Sequence, residues 1–326
     1  MSSTPSGRPD GRTGSVSSLE GIPASCSVSP YRERLQHYGL DWAMEMGLLS
    51  PDMDRAHVRE VFGVTDLAAH VVPDASWPDL TLHGCLLLWL FLHDDRCVDR
   101  PASRDLSLLT ATHARLYDVL DGAAPDPDAP FARSLHDIRQ RVEARAGCAW
   151  ARRLSTTFVA YLQAGHWERR GRSRGQPPDL TTYLKLRAIA GAMPSVFALL
   201  HVTGDVPADA RFVRHVEIRL LTELASNHVC WANDLLGLSR ECDEESESNL
   251  ALILQRERGW TLTRAIDRVV EMTNAELRAF RRAVAMLPSF GDEDAAVHRY
   301  SQALDQWMIG HIQWSERSPR YRRVDG

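Results

Sequence analysis

No stretch of this 326-residue chain reaches the roughly 18 consecutive apolar residues that a membrane-spanning helix needs. The best run, Gly84 to Leu92, stops at His93, Asp94 and Asp95. The N-terminus lacks the apolar core of a secretory signal, so a cytoplasmic protein is expected. Its six cysteines form no C-x-x-C pair and no zinc-like spacing, which fits reduced thiols. An excess of positive charge is missing as well. Lys and Arg total 38 against 43 Asp and Glu, a net charge of −5, which excludes nucleic-acid binding through a strongly basic surface. The one basic run, Arg169-Arg170-Gly171-Arg172-Ser173-Arg174, has no interleaved aromatics and reads as a solvated loop between helices. Sustained alternation of polar and apolar residues, which would mark a sheet, is absent, and so is any internal repeat.

What is present is an ordinary globular composition, 44% hydrophobic and 25% charged. At about 300 residues, roughly 75% of the surface of the unfolded chain can be buried, so a large core is available. Residues 1–30 stand apart: seventeen of them are Ser, Gly or Pro, and such a segment reads as a disordered tail. From Tyr31 onward the composition is uniform and the periodicity helical. Leu262, Ile266, Val269, Leu277, Phe280, Val284 and Leu287 recur at helical spacing, between a Thr261 N-cap and the Pro288 stop. Segments 131–146 and 211–240 read the same way. Breaks fall at Pro73–Pro78, Gly122–Pro130, Gly171–Pro178 and Gly204–Pro207. The expectation is one all-α domain over residues 31–326.

Two groups of residues look like chemistry. The apolar run Leu86–Leu92 ends in Asp94-Asp95-Arg96-Cys97-Val98-Asp99. Buried helices are apolar all round, and carboxylates at the end of one need cations or a shifted pKa. On an α-helix Asp95 and Asp99 are i,i+4 neighbours with Asp94 a hundred degrees round, so the three can face one cavity mouth and bind a hard divalent cation. The alternative is a solvated helix end neutralised by Arg96 and Arg100; the pattern alone arises by chance in roughly a quarter of such chains. The second group is Asn233-Asp234-Leu235-Leu236-Gly237-Leu238-Ser239-Arg240-Glu241. Asn233, Gly237 and Glu241 share one helix face, presenting an amide oxygen, a gap and a carboxylate. Together with a substrate phosphate they can grip a second cation. A hydrated helix end entering the acidic loop 241–247 is the alternative. Asparagine is scarce in this chain, so this second pattern occurs by accident in well under about one such chain in a hundred.

With these motifs the sequence resembles the bacterial class I terpene synthases. Their aspartate-rich motif is similar to Asp94, Asp95 and Asp99, and their Asn-Ser/Thr-Glu metal triad to Asn233 to Glu241. Arg187, 46 residues before Asn233, takes the place of the family's diphosphate-sensing arginine, and Gly191 that of its effector residue. Trp314 to Tyr321 resembles the C-terminal motif ending in Arg-Tyr, here Arg320-Tyr321, and the likeness extends over about residues 29–321. The resemblance implies a single-domain class I terpenoid synthase-like bundle of helices around a central apolar cavity, and a homodimer is compatible with it. It implies three Mg2+ ions and a prenyl diphosphate substrate that ionises and cyclises. Farnesyl diphosphate to a sesquiterpene is slightly favoured over geranylgeranyl diphosphate to a cyclic diterpene.

Arg187, Arg240 and Arg320 would donate N–H groups to the leaving diphosphate, with Tyr321 adding one more hydrogen bond. Phe91, one turn before Asp94, and Trp307 and Trp314, spaced by seven, would present rings to a carbocation. Aromatics at helical spacing are, however, more often core, above all Trp307. A chain break at Gly191 would turn a backbone carbonyl towards the substrate. One departure stands out: Gly237 replaces the hydroxyl residue of the metal triad, and Ser239 points about 200° away. A water filling the gap is one expectation and a weaker metal site the other, with Gly237→Ser neutral or beneficial. Prenyl-chain elongation would require a second D-D-x-x-D motif, which is absent. A non-catalytic helical scaffold is the alternative outside enzymes, and Gly237 is its only support.

Overall fold

The computed structural model describes residues 18–21, 27–50, 52, 55–98, 106–243, 248–318 and 320–321. Twelve α-helices and no strand occur among them. In chain order these are α1 (Arg32–Glu45), α2 (Arg55–Val71), α3 (Trp77–His93), α4 (Ser107–Leu120), α5 (Pro130–Ala146) and α6 (Cys148–Ser173). They continue as α7 (Leu180–Ala190), α8 (Met193–Thr203), α9 (Val216–Asp243), α10 (Leu250–Arg258), α11 (Leu262–Ala285) and α12 (Asp294–Arg317). Local chemistry explains where they begin. Ser76 caps α3 by accepting from Asp79 N, Asp179 caps α7 through Thr182 N, and Thr261 caps α11 through Arg264 N.

Helix α3 is apolar on every side because α1, α2 and α5 all pack against it, leaving Leu80, Leu86, Leu88 and Trp89 without solvent contact. Helix α9 is held by α11 on one flank and α12 on another, and α12 in turn packs on α2. The bundle therefore places the C-terminal end of α3, the C-terminal part of α9 and the chain after α12 at the same end of the molecule. One segment, Leu180–Thr203, is long and apolar enough by composition alone to cross a membrane, with a mean hydropathy of 1.4. It is in fact two helices, α7 and α8, broken at Gly191–Ala192, and 56% of its most apolar 18-residue window is buried inside the bundle.

Three expectations are corrected. Of the tail, Ser18–Gly21 docks on α11: Leu19 is buried, Asn274 Nδ2 donates to Ser18 O at 2.9 Å, and Glu20 N donates to Asn274 Oδ1 at 2.8 Å. Ser29 N likewise donates to Ala69 O of α2 at 2.9 Å. A Ser-rich average hides one apolar anchor, Leu19, which meets in Asn274 of α11 an amide able to bond two backbone groups. The basic run 169–174 is not a loop as far as Ser173. It forms the last turns of α6, with Arg169 buried, where cations suit the negative end of the helix dipole. Finally, Asp94–Val98 form a π-helical turn rather than a continuation of α3. Its i→i+5 bonding widens the turn, and Asp99, the partner expected for Asp95, lies outside the described residues.

Buried histidines stack among aromatics. His93 lies on Trp89 at 4.8 Å, and His201 lies on Tyr300 at 3.9 Å and on Trp150 at 5.4 Å. Burial lowers the pKa of His93, His201 and His311 to about 3, and of His83, His113 and His228 to about 4. These imidazoles stay neutral in the folded protein at pH values where an unfolded chain has begun to protonate them. Three carboxylates raised by burial, Glu241, Glu276 and Asp305, act in the opposite sense and are outnumbered. Stability is therefore complete above the ordinary histidine pKa of about 6.5 and is lost as pH falls towards the lowered values. The urea midpoint should drop steadily between pH 7 and pH 5; a midpoint unchanged over that range would contradict neutral burial.

Candidate active site

The site is assembled from four pieces of chain: the end of α3 with its π-turn, the C-terminal turns of α7, the second half of α9, and the residues after α12. Arg320 reaches across to the aspartate-rich turn. Its Nη1 and Nη2 donate to Asp95 Oδ2 and Oδ1 at 2.9 and 2.6 Å, a bidentate fork. The guanidinium carbon lies 4.9 Å above the ring of Phe91. Tyr321, the next residue, reaches the other motif: Asn233 Nδ2 donates to its hydroxyl at 2.7 Å. Burial raises the pKa of that phenol, which stays protonated. Adjacent residues at the C-terminus thus tie together two motifs that are 138 residues apart in sequence.

On α7, Tyr183 and Arg187 stand one turn apart and both reach Asp234 of α9. The Tyr183 hydroxyl donates to Asp234 Oδ2, and Arg187 Nε donates to Asp234 Oδ1 at 3.0 Å. Arg187 Nη2 also donates to Asn233 Oδ1 at 3.0 Å. Burial alone would lower the Arg187 guanidinium, but the Asp234 carboxylate beside it reverses this and keeps it charged. The same surroundings push the Tyr183 phenol well up, burial first and the Asp234 charge second.

The predicted break after α7 is present. Gly191 ends the helix, and Ala192 adopts left-handed φ of 56° before α8 starts at Met193. Gly191 itself has an ordinary φ; its lack of a side chain serves close approach, since a Cβ there would lie 3.0 Å from Arg187 Nη1 and 3.3 Å from Cys230 Sγ. Arg187 O accepts from Gly191 N at 2.8 Å and from the Cys230 thiol at 3.8 Å, which ties the break to α9.

Glu241 lies one turn beyond Gly237. Burial pushes its pKa up to about 7, and the nearby Asp234 charge adds to this. The expected gap at Gly237 is not vacant: a Cβ there would sit 2.8 Å from Glu241 Oε1. The carboxylate of Glu241 fills the space, so Gly237→Ser does not simply restore a ligand.

Phe91 and Trp314 meet edge to face at 5.9 Å, and Trp314 meets Tyr321 at 5.6 Å, so both form an apolar floor beneath the polar groups. Trp307 lies two helical turns below Trp314 and packs against Phe197 at 5.9 Å. His311, between the two tryptophans, is buried with Nδ1 lacking a hydrogen-bond partner. Arg240 acts electrostatically on both Tyr321 and Glu241, and Asp94 opens the π-turn. The sequence singled out the metal, diphosphate and aromatic candidates but not Tyr183, Asp234, His311 or Asn249, whose Nδ2 donates to Glu241 Oε2 at 2.8 Å. The i,i+4 spacing of Tyr183 and Arg187 was an available signal for the first two. For Asn249 the signal was an asparagine preceding an apolar helical run.

The donors Asp94, Asp95, Asn233 and Glu241 offer oxygen only, which fits a hard divalent cation. Among the described residues no three carboxylate, imidazole or thiol groups converge on one point. The family described as terpene synthase family 2, C-terminal metal binding, matches residues 85–279. The (+)-T-muurolol synthase of Roseiflexus castenholzii, described as (2E,6E)-farnesyl diphosphate cyclizing, is 32% identical, covering 92% of this chain and 92% of its own. The 4-epi-cubebol synthase of Streptosporangium roseum, likewise described as cyclizing (2E,6E)-farnesyl diphosphate, is 30% identical over 92% of this chain and 90% of its own. Among solved structures, the linalool/nerolidol synthase of Streptomyces clavuligerus superposes with a TM-score of 0.79 at 28% identity, covering 90% of this chain and 99% of that one.

Removing one partner of a buried ion pair leaves the other charge uncompensated, at a cost of about 3–5 kcal/mol. Asp234→Ala should cost that much in urea denaturation, because Asp234 is 1% exposed and serves Arg187, Tyr183 and the Leu250 amide. Asp95→Ala, at a carboxylate 27% exposed, should cost clearly less. Equal losses would contradict the ranking.

Proposed function

Because this chain belongs to the terpene synthase family, we propose that it ionises an all-trans prenyl diphosphate, with farnesyl diphosphate preferred, and cyclises the cation to a sesquiterpene. The observation that supports the reading is the Arg320–Tyr321 bridge, which bonds Asp95 of the aspartate-rich turn and Asn233 of the second motif through adjacent residues. Three Mg2+ ions would be held by Asp94, Asp95 and Asp99 on one side and by Asn233 and Glu241 on the other. When bound, they compensate the charge of the diphosphate and make it a competent leaving group.

The chain's own residues complete the task. Arg187, Arg240 and Arg320 would offer guanidinium N–H groups and Tyr321 a protonated hydroxyl to the charge that develops on the departing oxygens. Asp95 neutralises Arg320, and Asn233 Oδ1 accepts from Arg187. Diphosphate oxygens would replace these acceptors for the arginines. Asp234 and Tyr183 would keep Arg187 anchored during the exchange. Beneath the donors, Phe91, Trp314 and Trp307 would face the prenyl chain with ring surfaces that stabilise positive charge without reacting, contacts worth up to about 2 kcal/mol when desolvated. The Gly191 break would present a backbone carbonyl to the same space.

Incubation of the purified protein with geranyl, farnesyl and geranylgeranyl diphosphates, with Mg2+ or EDTA, tests the reading. The organic extract should contain a cyclic sesquiterpene from farnesyl diphosphate, present with Mg2+ and absent with EDTA. No Mg2+-dependent terpene from any of the three would refute it. Asp94→Ala, Asn233→Ala and Glu241→Ala should each lower turnover by at least about 100-fold while far-UV circular dichroism stays helical. An active Asn233→Ala would remove the second metal site from the account.

A further inference from the structure

Gly237 sits inside α9, before its last turn, where glycine costs about 1 kcal/mol relative to alanine. Its backbone requires no special freedom, so the cost calls for a packing reason. The reason is the carboxylate of Glu241, which folds back over the helix: a Cβ at 237 would stand 2.8 Å from Glu241 Oε1, 3.4 Å from Cδ and 3.7 Å from Tyr321 Cε1. A free glutamate would move aside for such a side chain, but Glu241 is not free. Its Oε2 accepts from Asn249 Nδ2 at 2.8 Å, and that amide nitrogen also donates to Asp234 O at 2.7 Å. Asn249 has no solvent exposure, and its Oδ1 accepts from Ala251 N at 2.9 Å, capping α10.

We propose that Gly237 and Asn249 are positioning residues for Glu241, Gly237 as the seat and Asn249 as the clamp. Together they hold Glu241 Oε1 in the place a side chain at 237 would occupy, facing the ring of Tyr321. Glutamate oxygen therefore fills the position that an inserted hydroxyl would claim, and the site as folded has no gap to repair. The inference rests on the reading of Glu241 as a metal ligand.

Mn2+ binding by electron paramagnetic resonance, in the presence of inorganic pyrophosphate, reads the site without turnover. Gly237→Ser should weaken Mn2+ binding by about tenfold, the loss usual when a ligand's support is removed. Asn249→Ser, which keeps an N-cap hydroxyl and removes the amide donor, should weaken it similarly. The double variant should add little to either, because both act through one carboxylate. The Mg2+ concentration for half-maximal turnover should rise in parallel, with a smaller change in the farnesyl diphosphate KM at saturating Mg2+. Gly237→Ser binding Mn2+ as tightly as the wild type, or more tightly, overturns the proposal, as does full additivity in the double variant. A wild-type protein that binds no Mn2+ with pyrophosphate overturns the proposed function as well, so the two failures are distinguishable. Gly237→Ser leaves Asn249 in place with its bonds to Ala251 N and Asp234 O, and keeps the test open if Asn249→Ser fails to fold.

Discussion

The ion pair between Arg187 and Asp234 is the constraint around which the polar end of the bundle is arranged. A guanidinium inside a protein is tolerated only with a carboxylate against it and its remaining donors satisfied. Asp234 meets that requirement from α9 and in the same stroke accepts from Tyr183 on α7 and from the amide of Leu250 at the start of α10. Three helices are thereby locked in register beside Asn233 and Glu241. Because Asp234 lies next to Asn233 in the chain, the residue that neutralises the buried arginine and the residue offered to a cation point in directions set by one helix turn.

Below this charged layer the interior carries almost no charge. Phe91, Trp314 and Trp307 supply ring faces, and the histidines among the core aromatics are held neutral by burial. The division suits a reaction in which an anion must be gripped and a cation left unquenched. Under the proposed function, the guanidinium and oxygen groups would meet the charge of the leaving group and the aromatic rings would offer polarisable surface to the cation. His311 is the exception within the wall, a buried imidazole nitrogen without a partner between two tryptophans.

Much of this was legible in the residues themselves. Helix periodicity, capping residues and Pro or Gly breaks placed α5, α9 and α11 within a few residues, because such signals are local. The Asn233 motif was visible because its face repeats at helical spacing, and Arg187 and Arg320-Tyr321 were found through family likeness. Other features were hidden for a common reason. The π-turn at Asp94–Val98, the docking of Leu19 on α11, and the reach of Asn249 to Glu241 each depend on which distant segment lies alongside. The oxygen occupying the space at Gly237 was likewise invisible, since a missing side chain says nothing about what fills its place.

The amino-acid sequence by itself determined the helical architecture, the identity of the oxygen and guanidinium groups, and their membership of one family pattern, because those follow from residue type and short-range spacing. Only the tertiary structure decided which groups touch. It joined Arg320 to Asp95 and Tyr321 to Asn233, set Asp234 rather than solvent against Arg187, and folded Glu241 over Gly237 under the grip of Asn249. Those choices depend on how whole helices pack and on the demand that each buried charge find a partner, and no local window of residues contains that information.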